Sequence, residues 1–417
     1  MSSPDRWQAA LDTAQLTGRL PSIVGGVLRD GELVWTGTSG DVRDVDTQYR
    51  VGSITKTLTA VLVLQCRDDG LLDLDDDLGR FLPESGYRES TVRELLSHTS
   101  GMQAEPVGPW WERSPGVEVP ALLEANDGSG RVLEPRSAFH YSNLGFALLG
   151  EVVARLRAAT WRSLVEERLL EPLDMTRTSY DPTAPHAQGS SVDHFAGTRH
   201  DEPHEDTRAM APAGQFWSTV GDLARWLRFL AHGHPEILAR ETLVEMARPA
   251  APAEDYGLGL RLLGAPATTL VGHTGSMPGF LATAFVDQDT RVGVVALTNA
   301  TTGVSTDQLA LTLLAGADHS PGGTWTPSTE VPDRVADLLG LWFWGNSALE
   351  IRWNQGLLEV RTLAPPELSD RFAVTPGRIV GVEGYHLGET MTVHRGGDGA
   401  VSHLECTTFV YTRHPTR

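Results

Sequence analysis

Residues 22–29 (SIVGGVLR) and 32–38 (ELVWTGT) are strand-like, largely apolar runs, and Asp30-Gly31 between them suits a tight antiparallel turn, so the pattern predicts an opening β-hairpin. From Ser53 to about Cys66 the period changes. Ile54, Leu58, Val61 and Leu62 fall at helical spacing, which predicts a helix starting at or beside Ser53. Helices and loops are expected from Leu71 to about Met246, with residues 151–170 and 220–231 the clearest amphipathic stretches. Strand character returns at 268–272, 281–287 and 291–298, before a closing helix at 309–314. Strands at both ends around a helical middle predict an α+β fold: one antiparallel sheet flanked by helices, with a helical subdomain.

Residues 318–332 (DHSPGGTWTPSTEVP) are rich in Pro, Gly, Ser and Thr and read as a linker. Beyond it come short alternating runs at 349–353, 357–361, 372–375, 391–394 and 401–412, the pattern of a small all-β barrel or sandwich. The expected organisation is a larger domain over 1–317, the linker, and a β-domain over 333–417.

The formal charge of −20 argues against nucleic acid and anionic membrane surfaces as partners and in favour of a peptide or small acyl substrate. The start lacks a basic segment followed by a long apolar core, and two cysteines are too few for a disulfide framework, so a cytoplasmic setting is expected. No cofactor is expected. No metal is expected either, because His194, His200, His204, Glu205 and Asp206 lack metalloprotease spacing and read as a solvated loop.

Candidate chemistry begins with Lys56, the one lysine among 34 basic residues. Arginine stays protonated in proteins, whereas a desolvated lysine can lose its proton. The chain therefore keeps a lysine where a neutral amine is needed, three residues after Ser53. One helical turn places the two side chains together, a weak hydroxyl nucleophile beside a base. Burial and the positive helix end both favour the neutral amine, and the free amide of Ser53 is available to an oxyanion.

Two further motifs follow: Tyr141-Ser142-Asn143 before a helical run, and His273-Thr274-Gly275 at the end of an expected strand. With Ser53-Ile54-Thr55-Lys56 they occur in the order of the serine β-lactamase and penicillin-binding-protein superfamily, which the chain resembles over about residues 20–315. The Tyr-x-Asn second motif is similar to class C β-lactamases, D-alanyl-D-alanine carboxypeptidases, D-aminopeptidases and related esterases. Leu95-Leu96-Ser97-His98-Thr99-Ser100-Gly101-Met102 and the segment beginning Trp217-Ser218-Thr219 support the likeness.

The resemblance implies Ser53 as acyl carrier, Lys56 as its base, Tyr141 as proton shuttle and Asn143 as partner of the substrate amide. It implies an oxyanion hole of the Ser53 and Ser276 amides, with Thr274 and Gly275 binding substrate. Taken singly, Tyr141 also reads as a core tyrosine and Asn143 as a helix cap. His273 stands where many relatives have lysine. A mostly neutral imidazole weakens a carboxylate clamp and argues against efficient β-lactam turnover, and a structural histidine is the alternative. Trp217 reads equally as a wall of an acyl pocket and as core.

With the β-domain and no export signal, the chain looks like penicillin-binding-protein-type thioesterases, which carry a lipocalin-like C-terminal domain. That likeness implies release and macrocyclisation of a nonribosomal peptidyl thioester ending in a D-residue, the substrate thioester-activated or bound to a carrier protein. Arg413 would then bind peptide, or else simply close a barrel strand. The alternative is a hydrolase of D-aminopeptidase or esterase type, with water as acceptor.

Overall fold

A helix, α1 (Ser3–Gly18), precedes the hairpin that the pattern placed first. Ser2 and Asp5 form a reciprocal capping box at its start, and Arg19 ends it in a left-handed conformation at φ 51°. Alanines and a buried glutamine supply much of its inner face, so apolar periodicity does not announce it. The computed structural model describes residues 2–42 and 44–416, and they form two compact units. The first contains residues 1–190 and 201–324; the second contains 191–200 and 325–417.

In the first unit, β1 (Ser22–Arg29) and β2 (Glu32–Gly40) join β3 (Arg261–Ala265), β4 (Thr268–Met277), β5 (Phe280–Val286) and β6 (Gly293–Thr298). The sheet runs β2-β1-β6-β5-β4-β3, antiparallel throughout, so the N-terminal hairpin closes against the last strand of the domain. Its strands pair in register with Ile23 opposite Thr298 and Gly275 opposite Ala282. One face packs on α1 and a C-terminal helix, α5 (Thr306–Ala315), through Leu11, Ile23, Phe285, Val294 and Leu313. The other carries the larger core, with α2 (Thr55–Asp68), α3 (Asn143–Arg157) and α4 (Val220–His232).

Residues 151–170 are not one helix. α3 ends where Ala158 turns left-handed at φ 50°, and Thr160 caps a new segment. Two glycines position the site: a Cβ on Gly52, whose φ is +53°, would lie 2.6 Å from Ser276 N, and one on Gly275 would lie 1.9 Å from Val51 O. The turn before α2 therefore rests directly on β4.

The second unit is a closed barrel of eight antiparallel strands between Gly340 and Thr412, its first and last strands paired at Phe343–Thr412 and Trp344–Tyr411. Trp342, Ile351, Leu358, Phe372 and Leu404 fill it. The 401–412 run is two strands, parted at Thr407 with φ 52°. Residues 191–200 join this unit through Phe195 O, which accepts from Trp353 N at 2.7 Å, and through His194, 2.7 Å from Glu350. None of the described helices is long and apolar enough to cross a membrane.

Candidate active site

Ser53 sits in the 3-10 turn Gly52–Ile54 that leads into α2, and Lys56 follows in the first turn of that helix. Lys56 is wholly buried, and its Nζ lies 2.9 Å from Ser53 Oγ, 2.6 Å from Asn143 Oδ1 and 2.7 Å from Ala213 O. Asn143 Nδ2 donates to Glu105 Oε1 at 2.7 Å, which fixes the carboxamide with its oxygen toward the lysine. A neutral amine has two N–H bonds and one lone pair. The two acceptors that can only accept, Asn143 Oδ1 and Ala213 O, take both N–H bonds, and the lone pair is left for the Ser53 hydroxyl proton. Burial pulls the Lys56 pKa down to about 7, against the opposing charges of Glu105 and Glu112.

Tyr141, half-buried, brings its ring centroid to 5.0 Å from Lys56 Nζ. Burial raises its phenol pKa, and a hydrogen bond with Ser53 opposes that shift. Both carboxylates whose charge acts on the lysine follow Met102 in the chain. Glu105 also accepts from Trp111 Nε1 at 2.7 Å, and Glu112 accepts from Trp110 Nε1 at 2.8 Å, with burial raising the Glu112 carboxyl.

A cavity of about 300 Å³ opens on Ser53, lined by Tyr141, Tyr256, Arg261, His273, Thr274 and Ser276 among others. Gly275 lines it too, so β4 presents the whole third motif to the nucleophile. Gly52 packs against the Ser276 backbone, and Ser53 and Ser276, the two residues expected to supply oxyanion donors, both line this cavity.

Behind this wall runs a directional chain of hydrogen bonds. The Ser142 amide can only donate, so His98 Nδ1 accepts it at 3.0 Å and the His98 proton is on Nε2, 3.2 Å from Tyr256 Oη. The Tyr256 hydroxyl then donates to His273 Nε2 at 3.0 Å, and His273 Nδ1–H donates to Thr274 O at 2.5 Å. Both ends of the chain fix the same tautomers. Burial, then the charge of Lys56, pulls His273 down to about 3 and His98 well below the usual histidine range. His273 is thus a neutral imidazole, as expected for it.

Two expected substrate contacts are corrected. Trp217 is 1% exposed and outside the cavity lining; its backbone pairs with Arg50 in a short ladder, and its ring packs on His204 and Phe280 at 4.9 and 5.1 Å. Arg413 donates to the backbone oxygens of Asp337, Leu339 and Leu341 and lies 4.0 Å over Trp342, so its guanidinium closes the barrel rather than binding peptide.

Sequence reading missed Glu105, His98, Tyr256 and Arg261 as parts of the site. His98 lay inside a quoted motif, and Arg261 would have surfaced had the apolar run of β3 been recognised beside β4. For metals, His386, Glu389 and Cys406, and separately His394, His403 and Glu405, hold donor atoms within 4.8 Å of one another; both groups are in the barrel unit, and neither draws on residues 194–206.

Among known families, the Beta-lactamase profile matches residues 7–318, and a domain of unknown function, DUF7586, matches 331–413. Beta-lactamase-like protein 2 of Dictyostelium discoideum is 29% identical over 261 residues, 57% of this chain and 47% of that protein. The chain spans about half the length of the curated relatives it matches. A D-stereospecific amidohydrolase from a Streptomyces species is 29% identical, with a TM-score of 0.64 over 73% of this chain and 96% of that one. SurE, also solved with D-Leu, is 24% identical and shares the fold at a TM-score of 0.64 over 99% of both chains.

Proposed function

This chain belongs to the Beta-lactamase family, within a superfamily of serine hydrolases and acyltransferases, and we propose that it is an amidohydrolase that takes its acyl group from a D-configured residue. The observation that carries the chemistry is the buried Lys56 Nζ, 2.9 Å from Ser53 Oγ and held by Asn143 Oδ1 and Ala213 O, so that in the neutral amine both N–H bonds are engaged and the lone pair is left for the hydroxyl. As Ser53 Oγ attacks, the Oγ–C bond forms and the hydroxyl proton passes to Lys56 Nζ. The Ser53 and Ser276 amides hold the oxyanion. The bond from the acyl carbon to its nitrogen then breaks, and the leaving amine takes a proton relayed from Lys56 through Tyr141. Water reverses the sequence: it adds to the acyl carbon, gives its proton to Lys56, and Ser53 recovers one as the acid departs.

The preference for a D-residue is supported by the Streptomyces amidohydrolase. A second reading replaces water by the peptide's own amine and the amide by a thioester, which is macrocyclisation of a nonribosomal peptide. The barrel lies outside the amidohydrolase likeness, which covers 73% of this chain, so that likeness leaves the second unit unaccounted for.

The test offers D- and L-phenylalaninamide and a linear peptide thioester ending in a D-residue, with products read by mass spectrometry and Ser53→Ala as control. D-phenylalaninamide should be cleaved at least about tenfold faster than its L-enantiomer, a discrimination within reach of one well-shaped pocket. Equal rates would overturn the stereochemical assignment. Cyclic product from the thioester, in excess of free acid, would move the chain to the second reading.

A further inference from the structure

An arginine and an aspartate, Arg261 and Asp255, line the cavity beside Ser53. Arg261 lies on the edge strand β3. Its Nη1 and Nη2 make a two-pronged pair with Asp307 at 2.9 and 3.0 Å, and Nη1 also donates to Thr274 Oγ1 at 2.9 Å. Asp307 stands in the first turn of α5, and its neighbour Thr306 lines the same cavity. Asp255 has no ion-pair partner among the described residues.

The charges of this wall can be added up. Arg261 and Asp307 cancel, His273 is an imidazole whose Nε2 accepts from Tyr256, and Asp255 leaves one negative charge over. A carboxylate lying along Thr274 would lose its water and find no unpaired cation on this wall: Lys56, on the other wall, is tied to Ser53, Asn143 and Ala213, and Asp255 is exposed, so its charge is screened. An amide, ester or anilide meets no such cost, and the Thr274 hydroxyl, already accepting from Arg261, keeps its own proton to donate.

We propose that the Arg261–Asp307 pair sets specificity by masking charge: this wall takes an uncharged part of the substrate, and Asp307 holds back the one cation that would otherwise bind a carboxylate. The assignment rests on Ser53 acyl chemistry but not on the D-residue preference, and it names the leaving side of the substrate as neutral. Asp307 is a specificity residue acting through Arg261, and unmasking is its signature. Losing the acid should create an affinity, which damage to the fold cannot do.

The experiment compares matched donors that differ by one carboxylate. D-phenylalanyl p-nitroanilide and its ring-carboxylated analogue give a ratio of kcat/KM for the wild type, Asp307→Asn and Arg261→Gln. The wild type should favour the neutral anilide, and Asp307→Asn should shift the ratio toward the carboxylated one by about tenfold, the scale of one charge-assisted hydrogen bond. Arg261→Gln and the double variant should show no such shift. Should neither anilide be cleaved, the amidohydrolase reading fails, and the charge assignment is read instead from the rates at which benzylpenicillin and its methyl ester acylate Ser53, followed by protein mass. A wild type that prefers the acid in either pair, or an Asp307→Asn ratio within twofold of wild type, overturns the proposal.

Discussion

The two walls of the cleft bury similar groups and treat them differently. On the α2 side, Lys56 is withdrawn from water and drawn toward the neutral amine, but Glu105 and Glu112 oppose that, so the proton sits near balance at about 7. On the β4 side, His98 and His273 are also withdrawn, and no negative charge opposes it; only the hydrogen bond from His273 to Thr274 O does, every nitrogen has a partner of fixed direction, and no proton has anywhere to go. Burial alone does not make a catalytic group. A group that can exchange a proton needs desolvation and an opposing charge together, whereas desolvation with a closed hydrogen-bond chain makes a rigid, neutral surface.

The contrast breaks most visibly at the lysine. Lys56→Arg keeps the positive charge but cannot lose it, so acylation of Ser53 should fall by about a thousandfold or more, as when a member of a nucleophile-base unit is removed. Substantial turnover by Lys56→Arg, measured with any donor that acylates the wild type, would mean that a fixed cation suffices and that the balance at Lys56 is incidental.

Tyr256→Phe probes the other wall. It removes the hydroxyl that receives from His98 and donates to His273, leaving buried nitrogens without partners, so stability should fall by about 1–3 kcal/mol in thermal and urea unfolding. The pH dependence of kcat/KM should keep its limb where the wild type has it, because this wall moves no proton. A displaced limb would put the imidazoles into the reaction and erase the difference between the walls.

The α2 wall was legible in the sequence because it is local: one lysine, one helical turn from a serine, needs only the helical period to be placed. Asn143 arrived through its motif, and the sheet through short apolar, strand-like runs bounded by turn residues, of which β5 and β6 are buried along their whole length. The β4 wall was not legible to the same degree. His98, Tyr256 and His273 are far apart in the chain, and β3, which carries Arg261, is a short edge strand of mixed exposure with weak alternation. Trp217 and Arg413 failed for a related reason. An aromatic beside a site and an arginine at a strand end have the same local pattern whether they face a ligand or their own core, and only the fold separates the two. Helix α1 and the split of residues 151–170 turned on capping residues and one left-handed alanine rather than on apolar period.

The smallest effect is expected at Glu105, and its sign is the sharper test. The base must be neutral to act, so kcat/KM rises with pH as Lys56 loses its proton, with the limb near 7. The Glu105 charge favours the ammonium. Glu105→Gln removes that charge and keeps a carboxamide able to meet Asn143 or Trp111, so the Lys56 pKa should fall and the limb should move to lower pH. Glu105 is exposed, and solvent screening makes the move small. At the plateau, the altered support of Asn143 should cost about two- to tenfold in rate, the worth of one hydrogen bond. Rate loss alone is what any disturbance of Asn143 would give. A lower plateau combined with a limb shifted toward acid is what an opposing charge gives, and a limb that stays put or moves to higher pH would show that the carboxylate merely positions the amide and does not hold the lysine near balance.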